Sequence, residues 1–139
     1  IIFFPYAVTN LKGPLKFYAS EIKGKNFKNS GSSSLFKSSE NDNSSQVFEV
    51  KTIALNEINE IKDNKILLIW IDVQGAEKQV IKSGKSFFAN SKLIWIEYGE
   101  DKYKEFLTRE ELINMFSHSH YVSIFSNRSK KGNLLLVKK

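Results

Sequence analysis

The fold of this chain is decided by a stretch near its middle. It runs Ile66-Leu67-Leu68-Ile69-Trp70-Ile71-Asp72-Val73-Gln74-Gly75-Ala76-Glu77. The first half is apolar without alternation, which is typical of a strand buried on both faces of a parallel sheet, with Trp70 in the core. Gly75 then allows a close turn, and an apolar stripe over residues 76–88 predicts a helix. The stretch therefore indicates one strand–helix unit of an α/β domain.

Similar units follow on the carboxyl side. Residues 93–96 predict a second buried strand, which ends at Glu97, and Thr108 with Glu111 forms a capping box at the start of another helix. Residues 121–125 and 134–137 predict two last strands, joined by a turn at residues 130–133. We therefore expect a mostly parallel sheet with an antiparallel C-terminal hairpin.

The amino-terminal third is less regular. The pattern predicts strands at residues 1–10, 15–19 and 46–53, the first two as a hairpin, and a helix at residues 55–61. Residues 24–46 hold eight Ser, four Asn and two Gly, which indicates either a surface loop or a lid over a site. We expect one domain over residues 1–139, with residues 24–46 as its Ser/Asn-rich loop.

Composition excludes several classes of function. The net charge of +6 is spread as +5, −5 and +6 over residues 1–39, 40–77 and 78–139, and 19 of the 21 basic residues are Lys. Nucleic-acid binding usually needs a concentrated basic face, so we expect no nucleic-acid partner. The longest apolar run has six residues, far below the roughly 20 that span a bilayer. The absence of Cys excludes disulfides and thiolate zinc sites and agrees with a cytoplasmic setting.

Two acids stand where ligands bind in α/β sheets, at the carboxyl ends of the strands. Asp72 directly follows the first buried strand and Glu97 directly follows the second. Asp72 suits either a helix cap or a site residue, whereas Glu77, in the first helical turn, suits the helix dipole. His118 and His120 have a spacing that metal ligands use, but no third ligand accompanies them, so we expect no metal site.

The stretch from Leu68 to Glu77, together with residues 80–84 and 94–97, resembles the signature of the FkbM-type methyltransferases. That signature has a hydrophobic strand, then I-D-V-E/Q-G-A-E, a helix, and a strand that closes on Glu. Weaker similarities lie at Tyr6-Ala7-Val8 followed by Gly13, at Gly31-Ser32-Ser33-Ser34-Leu35 and at residues 50–55. Together they cover nearly the whole chain.

The resemblance implies a Rossmann-like sheet and S-adenosylmethionine-dependent O-methyl transfer to a sugar or secondary-metabolite hydroxyl. Asp72 and Glu97 would be catalytic, and Ala7, Val8 and Asp72 would border the cofactor. Ser33, Ser34 and Glu97 would bind the acceptor, a small molecule or a glycan. Methyl transfer is an in-line displacement, so positioning supplies much of the catalysis.

One departure from the family is large. No G-x-G occurs, whereas these enzymes cradle the cofactor with a glycine-rich loop after their first strand. We therefore expect the N-terminal strand–helix units to be missing and the chain alone to be inactive, with little binding of S-adenosylmethionine. The alternative is a non-catalytic α/β module that binds carbohydrate or protein. The oligomeric state is left open.

Overall fold

The computed structural model of the chain describes residues 2–19, 33–36, 46–62, 65–99, 106–124 and 130–139. Of the predicted Ser/Asn-rich loop, only residues 33–36 and 46 belong to this described part.

Strands and short helices alternate through the second half of the chain. The strands are β1 Ala7–Val8, β2 Leu15–Tyr18, β3 Val47–Val50, β4 Thr52–Ile53, β5 Leu68–Ile71, β6 Leu93–Gly99, β7 His120–Ile124 and β8 Lys131–Lys138. The helices are a 3-10 turn at Leu55–Glu57, α1 Asn59–Lys62, α2 Glu77–Ser83, α3 Lys85–Asn90 and α4 Arg109–Phe116. The α/β class is therefore confirmed.

The main sheet has four strands in the order β5-β6-β8-β7. Strands β5 and β6 are parallel, with Trp70 opposite Trp95 and Ile71 opposite Ile96. Strand β8 pairs antiparallel with both β6 and β7, which confirms the predicted pairing of the last two strands. However, β8 already begins at Lys131, so the predicted turn at residues 130–133 is too long, because Gly132 and Asn133 pair with β6.

The expectation of a mostly parallel sheet is wrong for the described strands, because only β5–β6 and β1–β4 pair in parallel. Strands β2–β3, β6–β8 and β7–β8 are antiparallel. The Rossmann-like arrangement stays a prediction.

The amino-terminal strands pair differently from the prediction. Strand β1 lies parallel to β4, and β2 lies antiparallel to β3, so the predicted hairpin between the first two strands is wrong. The strand predicted at residues 46–53 is divided at Lys51 into β3 and β4. Strand β3 pairs with β2 and is mostly exposed. Strand β4 pairs with β1, whose Val8 packs against the core.

One face of the main sheet carries the core. Its members are Ile71, Val80, Ile81, Phe88, Ile94, Ile96, Tyr98, Leu107, Leu112, Phe116, Leu134 and Leu136. They come from the sheet, from α2, α3 and α4, and from Leu107 just before α4, so these helices cover this face. Thr108 caps α4 with the expected capping box, in which its Oγ1 accepts from the Glu111 N–H at 3.2 Å.

The other face of the main sheet is only partly covered in the described part of the chain. Leu68 is 48% exposed and Trp70 is 70% exposed, although Trp70 packs against Trp95 with ring centroids 5.8 Å apart. The prediction that this strand is buried on both faces, with Trp70 in the core, is therefore wrong. The reason is that α2, α3 and α4 all cover the opposite face.

Candidate active site

The two strand-end acids lie together at one edge of the sheet. The parallel register that sets Ile71 opposite Ile96 brings Asp72 beside Glu97 one residue further on. Asp72 is exposed and Glu97 is half-buried. The side-chain amide of Gln74 joins them, because its Nε2 donates to Oδ1 of Asp72 at 2.5 Å and to Oε2 of Glu97 at 3.1 Å.

The surroundings of Glu97 raise its affinity for a proton. Burial raises the pKa of the Glu97 carboxyl, and the charge of Asp72 and a hydrogen bond to its carboxyl group raise it further. Lys131 and the amide of Gln74 oppose this rise by stabilising the Glu97 carboxylate. A carboxyl group whose pKa lies closer to neutral holds a proton more readily, which suits a general base.

A tight turn sets the position of Gln74. Gln74 has a φ of 49° and Gly75 a φ of 97°, so two successive residues occupy the left-handed region. A residue other than Gly adopts this conformation rarely, and it persists where the surrounding structure holds it. Here Ser34 holds it, because its Oγ donates to the Gln74 carbonyl oxygen at 2.6 Å.

Ser34 thus reaches the site from a distant part of the chain. It is 1% exposed, and its backbone pairs with Tyr18 at the end of β2. Its hydroxyl also accepts from the Phe36 N–H at 3.1 Å. Because a hydroxyl has one hydrogen, and Ser34 gives it to Gln74, the geometry makes Ser34 an anchor of the turn. Ser33, half-buried, directly precedes it.

Glu77 is fully buried beneath the turn, although its place in a first helical turn suggests a surface acid. Its Oε1 accepts from the Gly75 N–H at 3.2 Å, whereas its Oε2 has no hydrogen-bond partner among the described residues. Burial raises the pKa of the Glu77 carboxyl, against the lowering effect of backbone N–H groups, and Glu97 adds a small rise. A buried carboxyl group is costly to ionise unless it is paired.

Ala7 and Val8 form β1, which pairs with β4 and contacts α2, the helix that follows the turn. The Ala7 N–H donates to the Lys51 carbonyl at 2.8 Å, and Val8 packs against the core. A cleft of about 230 Å³ follows the ends of β1 and β4 and is lined by Thr9, Asn10, Leu11, Lys12, Gly13, Thr52, Ile53, Ala54 and Glu57. Its lining includes neither Ala7 and Val8 nor Asp72 and Glu97, so the proposed roles of Ala7 and Val8 stay predictions.

The two histidines do not form a pair of ligands. His118 is exposed, whereas His120 is 2% exposed in β7. The His120 Nε2 lies 3.1 Å from the Ser91 carbonyl oxygen, and its Nδ1 lies 2.8 Å from the Ser119 Oγ. In the described ranges, no group of three or more His, Asp or Glu side chains is arranged to hold a metal ion.

Sequence reasoning missed Gln74. The signal was present, because Gln74 stands between a strand-end acid and a glycine, where the backbone turns. What a sequence pattern does not show is that the amide points at two carboxyl groups from different strands.

Comparison with known proteins identifies the family of the chain. The chain matches the model of the methyltransferase FkbM domain over residues 2–131, which includes the whole carboxyl pair and its turn. The chain belongs to the FkbM methyltransferase family. The resemblance noted in the sequence is thereby confirmed.

One relative of this FkbM protein is named for its reaction. It is 34% identical over 70 residues to the 2-O-methyltransferase NoeI of Sinorhizobium fredii (strain NBRC 101917 / NGR234). That match covers 50% of this chain and 28% of NoeI. No solved structure matches the FkbM chain significantly. None of the helices in the described part is both long and apolar enough to cross a membrane.

Proposed function

We propose that this FkbM protein is an S-adenosylmethionine-dependent O-methyltransferase, which methylates a hydroxyl group of a sugar or secondary metabolite. The observation that carries the proposal is the Asp72–Gln74–Glu97 arrangement, in which Gln74 links the carboxyl groups of two parallel strands. Ligands of open α/β sheets bind at this edge. The name of the relative NoeI, a 2-O-methyltransferase, supports a hydroxyl acceptor.

The chemistry of these side chains fits the proposed methyl donor. S-adenosylmethionine supplies an electrophilic methyl group on a positively charged sulfur. Asp72 and Glu97 give this edge of the sheet negative character, and an opposite charge within a few ångströms stabilises such a cation. Asp72 is therefore the proposed residue for the sulfonium end of the donor, and Ala7 and Val8 stay proposed for its adenine end.

Glu97 is the proposed base for the acceptor hydroxyl. A hydroxyl oxygen that attacks a methyl group must lose its proton, and Glu97 has the raised pKa and partial burial that suit this role. Ser33 is proposed to approach the acceptor from the upstream segment. For Ser34, whose hydroxyl hydrogen is donated to the Gln74 carbonyl oxygen, the proposed role is to hold the turn beside the acceptor.

The test is methyl transfer by the intact protein. S-adenosyl-L-methionine carrying a ¹³C-methyl group is incubated with a panel of methyl glycosides, and O-methylated products are detected by NMR and mass spectrometry. We expect a product with at least one glycoside that has a free 2-hydroxyl. Binding of a glycoside without any methylation would instead support a non-catalytic carbohydrate-binding module. The cytoplasmic setting stays a prediction.

A further inference from the structure

Gln74 contacts both strand-end carboxyl groups through a single nitrogen. Its Nε2 lies 2.5 Å from Oδ1 of Asp72 and 3.1 Å from Oε2 of Glu97. A side-chain amide nitrogen carries two hydrogens, so both are used in these contacts. Hydrogen bonds to ionised carboxylates are about twice as strong as those between neutral groups.

The backbone of Gln74 is held in a conformation that serves this contact. Its φ of 49° is unusual for a residue with a Cβ, and the Oγ of Ser34, 40 positions upstream, fixes its carbonyl oxygen at 2.6 Å. Strained positions that are held by distant side chains concentrate at functional sites. The strain therefore indicates that the position of the Gln74 amide matters.

The charges around Glu97 show what the amide does. Asp72 repels the Glu97 carboxylate from the end of β5, and Lys131 attracts it from β8. Glu77, on α2, is also near Glu97, but burial and the charge of Glu97 raise the pKa of Glu77, which favours its neutral form. The amide of Gln74 is the neutral donor that bridges Asp72 and Glu97. A hydrogen bond between the carboxyl groups of Asp72 and Glu97 raises the pKa of Glu97, whereas the hydrogen bond from Gln74 lowers it. Without the amide, only the effect of Gln74 that lowers the pKa of Glu97 is lost, so the carboxyl pair holds a proton more readily.

We propose that Gln74 is a positioning residue, whose amide holds Asp72 and Glu97 in one arrangement so that Glu97 points at the acceptor hydroxyl. This inference rests on the proposed methyl transfer at the same pair. It assigns no direct contact between Gln74 and either substrate. It explains why a glutamine stands at the centre of the turn.

The experiment compares two substitutions in the intact protein. Gln74→Met keeps the length of the side chain and removes its donors, whereas Gln74→Gly removes the side chain and also relieves the backbone conformation. Gln46→Met is the matched control, because Gln46 is exposed and lies just before β3. Side-chain carboxyl groups of Asp72 and Glu97 are titrated by ¹³C NMR, and kcat is measured against pH with the best glycoside of the panel.

We expect the upper titration midpoint of the pair to move to higher pH in both variants, because a donor that lowers the pKa of Glu97 is lost. The acidic limb of the kcat profile should move in the same direction, and kcat near neutral pH should fall on the order of 10²-fold with a smaller change in KM. Gln46→Met should change none of these quantities.

Unchanged midpoints in both Gln74 variants would overturn the proposal, and so would a change in Gln74→Met that Gln74→Gly does not show. If the Gln74→Met variant does not fold, the titration of the Gln74→Gly variant alone tests the proposal. The titration needs no acceptor. A wild-type protein that methylates nothing therefore refutes the proposed function separately, while the titration still shows whether Gln74 couples the two carboxyl groups.

Discussion

Gly84 lies directly against Leu55: a Cβ on Gly84 would stand 2.7 Å from the Cβ of Leu55. At the same point the Leu55 N–H donates to the Ser83 Oγ at 3.3 Å. The 3-10 turn at Leu55–Glu57 therefore sits against the junction between α2 and α3. The helix predicted over residues 76–88 is divided here, because Gly84 leaves helical geometry with a φ of −155°.

Gly84→Ala should lower the free energy of unfolding by about 1–3 kcal/mol, because the new methyl group forces the 3-10 turn away from α2. Urea denaturation at pH 7 measures this. Gly99→Ala is the matched control, since a Cβ there would meet Phe106 at an ordinary distance of 3.5 Å. Equal stability of Gly84→Ala and the wild type would show that Leu55 does not pack at this point.

His120 should make the fold sensitive to mild acid. Burial lowers the pKa of His120, and the charge of Lys138 lowers it further, against a hydrogen bond to Ser91. The unfolded chain therefore takes up a proton below about pH 6.5 that the folded chain resists, and the free energy of unfolding falls as the pH drops through this range.

Urea denaturation between pH 8 and pH 5 tests this sensitivity. His120→Gln should flatten the dependence of the unfolding free energy on pH, even if the variant is less stable at pH 8. The exposed His118 provides the control substitution, His118→Gln, which should keep the wild-type slope. Parallel slopes for all three proteins would contradict the assignment to His120.

Glu77 should affect the pH dependence of stability in the direction opposite to His120. Burial raises its pKa, so the folded chain holds a proton that the unfolded chain releases above about pH 4.5. The stability that this provides is present at low pH and is lost as the pH rises through the raised pKa. Glu77→Gln keeps an oxygen acceptor for the Gly75 N–H and never ionises.

The difference in unfolding free energy between Glu77→Gln and the wild type should therefore grow in favour of the variant from pH 4 to pH 8. Glu110→Gln, on the exposed side of the first turn of α4, is the control and should show no such trend. A constant difference for Glu77→Gln would mean that Glu77 ionises as easily in the fold as outside it.

Asp72→Asn and Glu97→Gln should each abolish most turnover in the intact protein, with kcat falling on the order of 10²-fold or more. Both changes keep the shape of the side chain, so the free energy of unfolding should stay within about 0.5 kcal/mol for the exposed Asp72. Glu49→Gln on the exposed strand β3 serves as the control. Full activity of Asp72→Asn would remove Asp72 from the site.

The local patterns predicted the second half of the chain well. Strand β5, the acid after it and the capping box of Thr108 all depend on residues that are close in the sequence, so local patterns predict them. The pairing of β1 with β4 was missed because it depends on contacts between distant segments, for which neither strand carries a local signal. The same reason hides the Ser34–Gln74 contact, which links residues 40 positions apart.

The burial of the apolar side chains of β5 was also predicted wrongly. Trp70 and Leu68 are as apolar as Ile71, yet Ile71 is 3% exposed and Trp70 is 70% exposed, because the helices cover only one side of the strand. An unbroken apolar run shows that a strand tolerates burial on both faces, and it does not show which elements cover them.

The neighbouring rings of Trp70 and Trp95 give the protein a built-in optical reporter. Two indoles with centroids 5.8 Å apart and planes tilted by 40° are close enough for their excited states to couple, so we expect a split band in circular dichroism that neither ring would have alone. Each ring sits two residues before one of the carboxyl groups, Asp72 or Glu97. The amplitude of this band therefore reports, without any attached dye, whether β5 and β6 keep their register when a ligand reaches the strand ends.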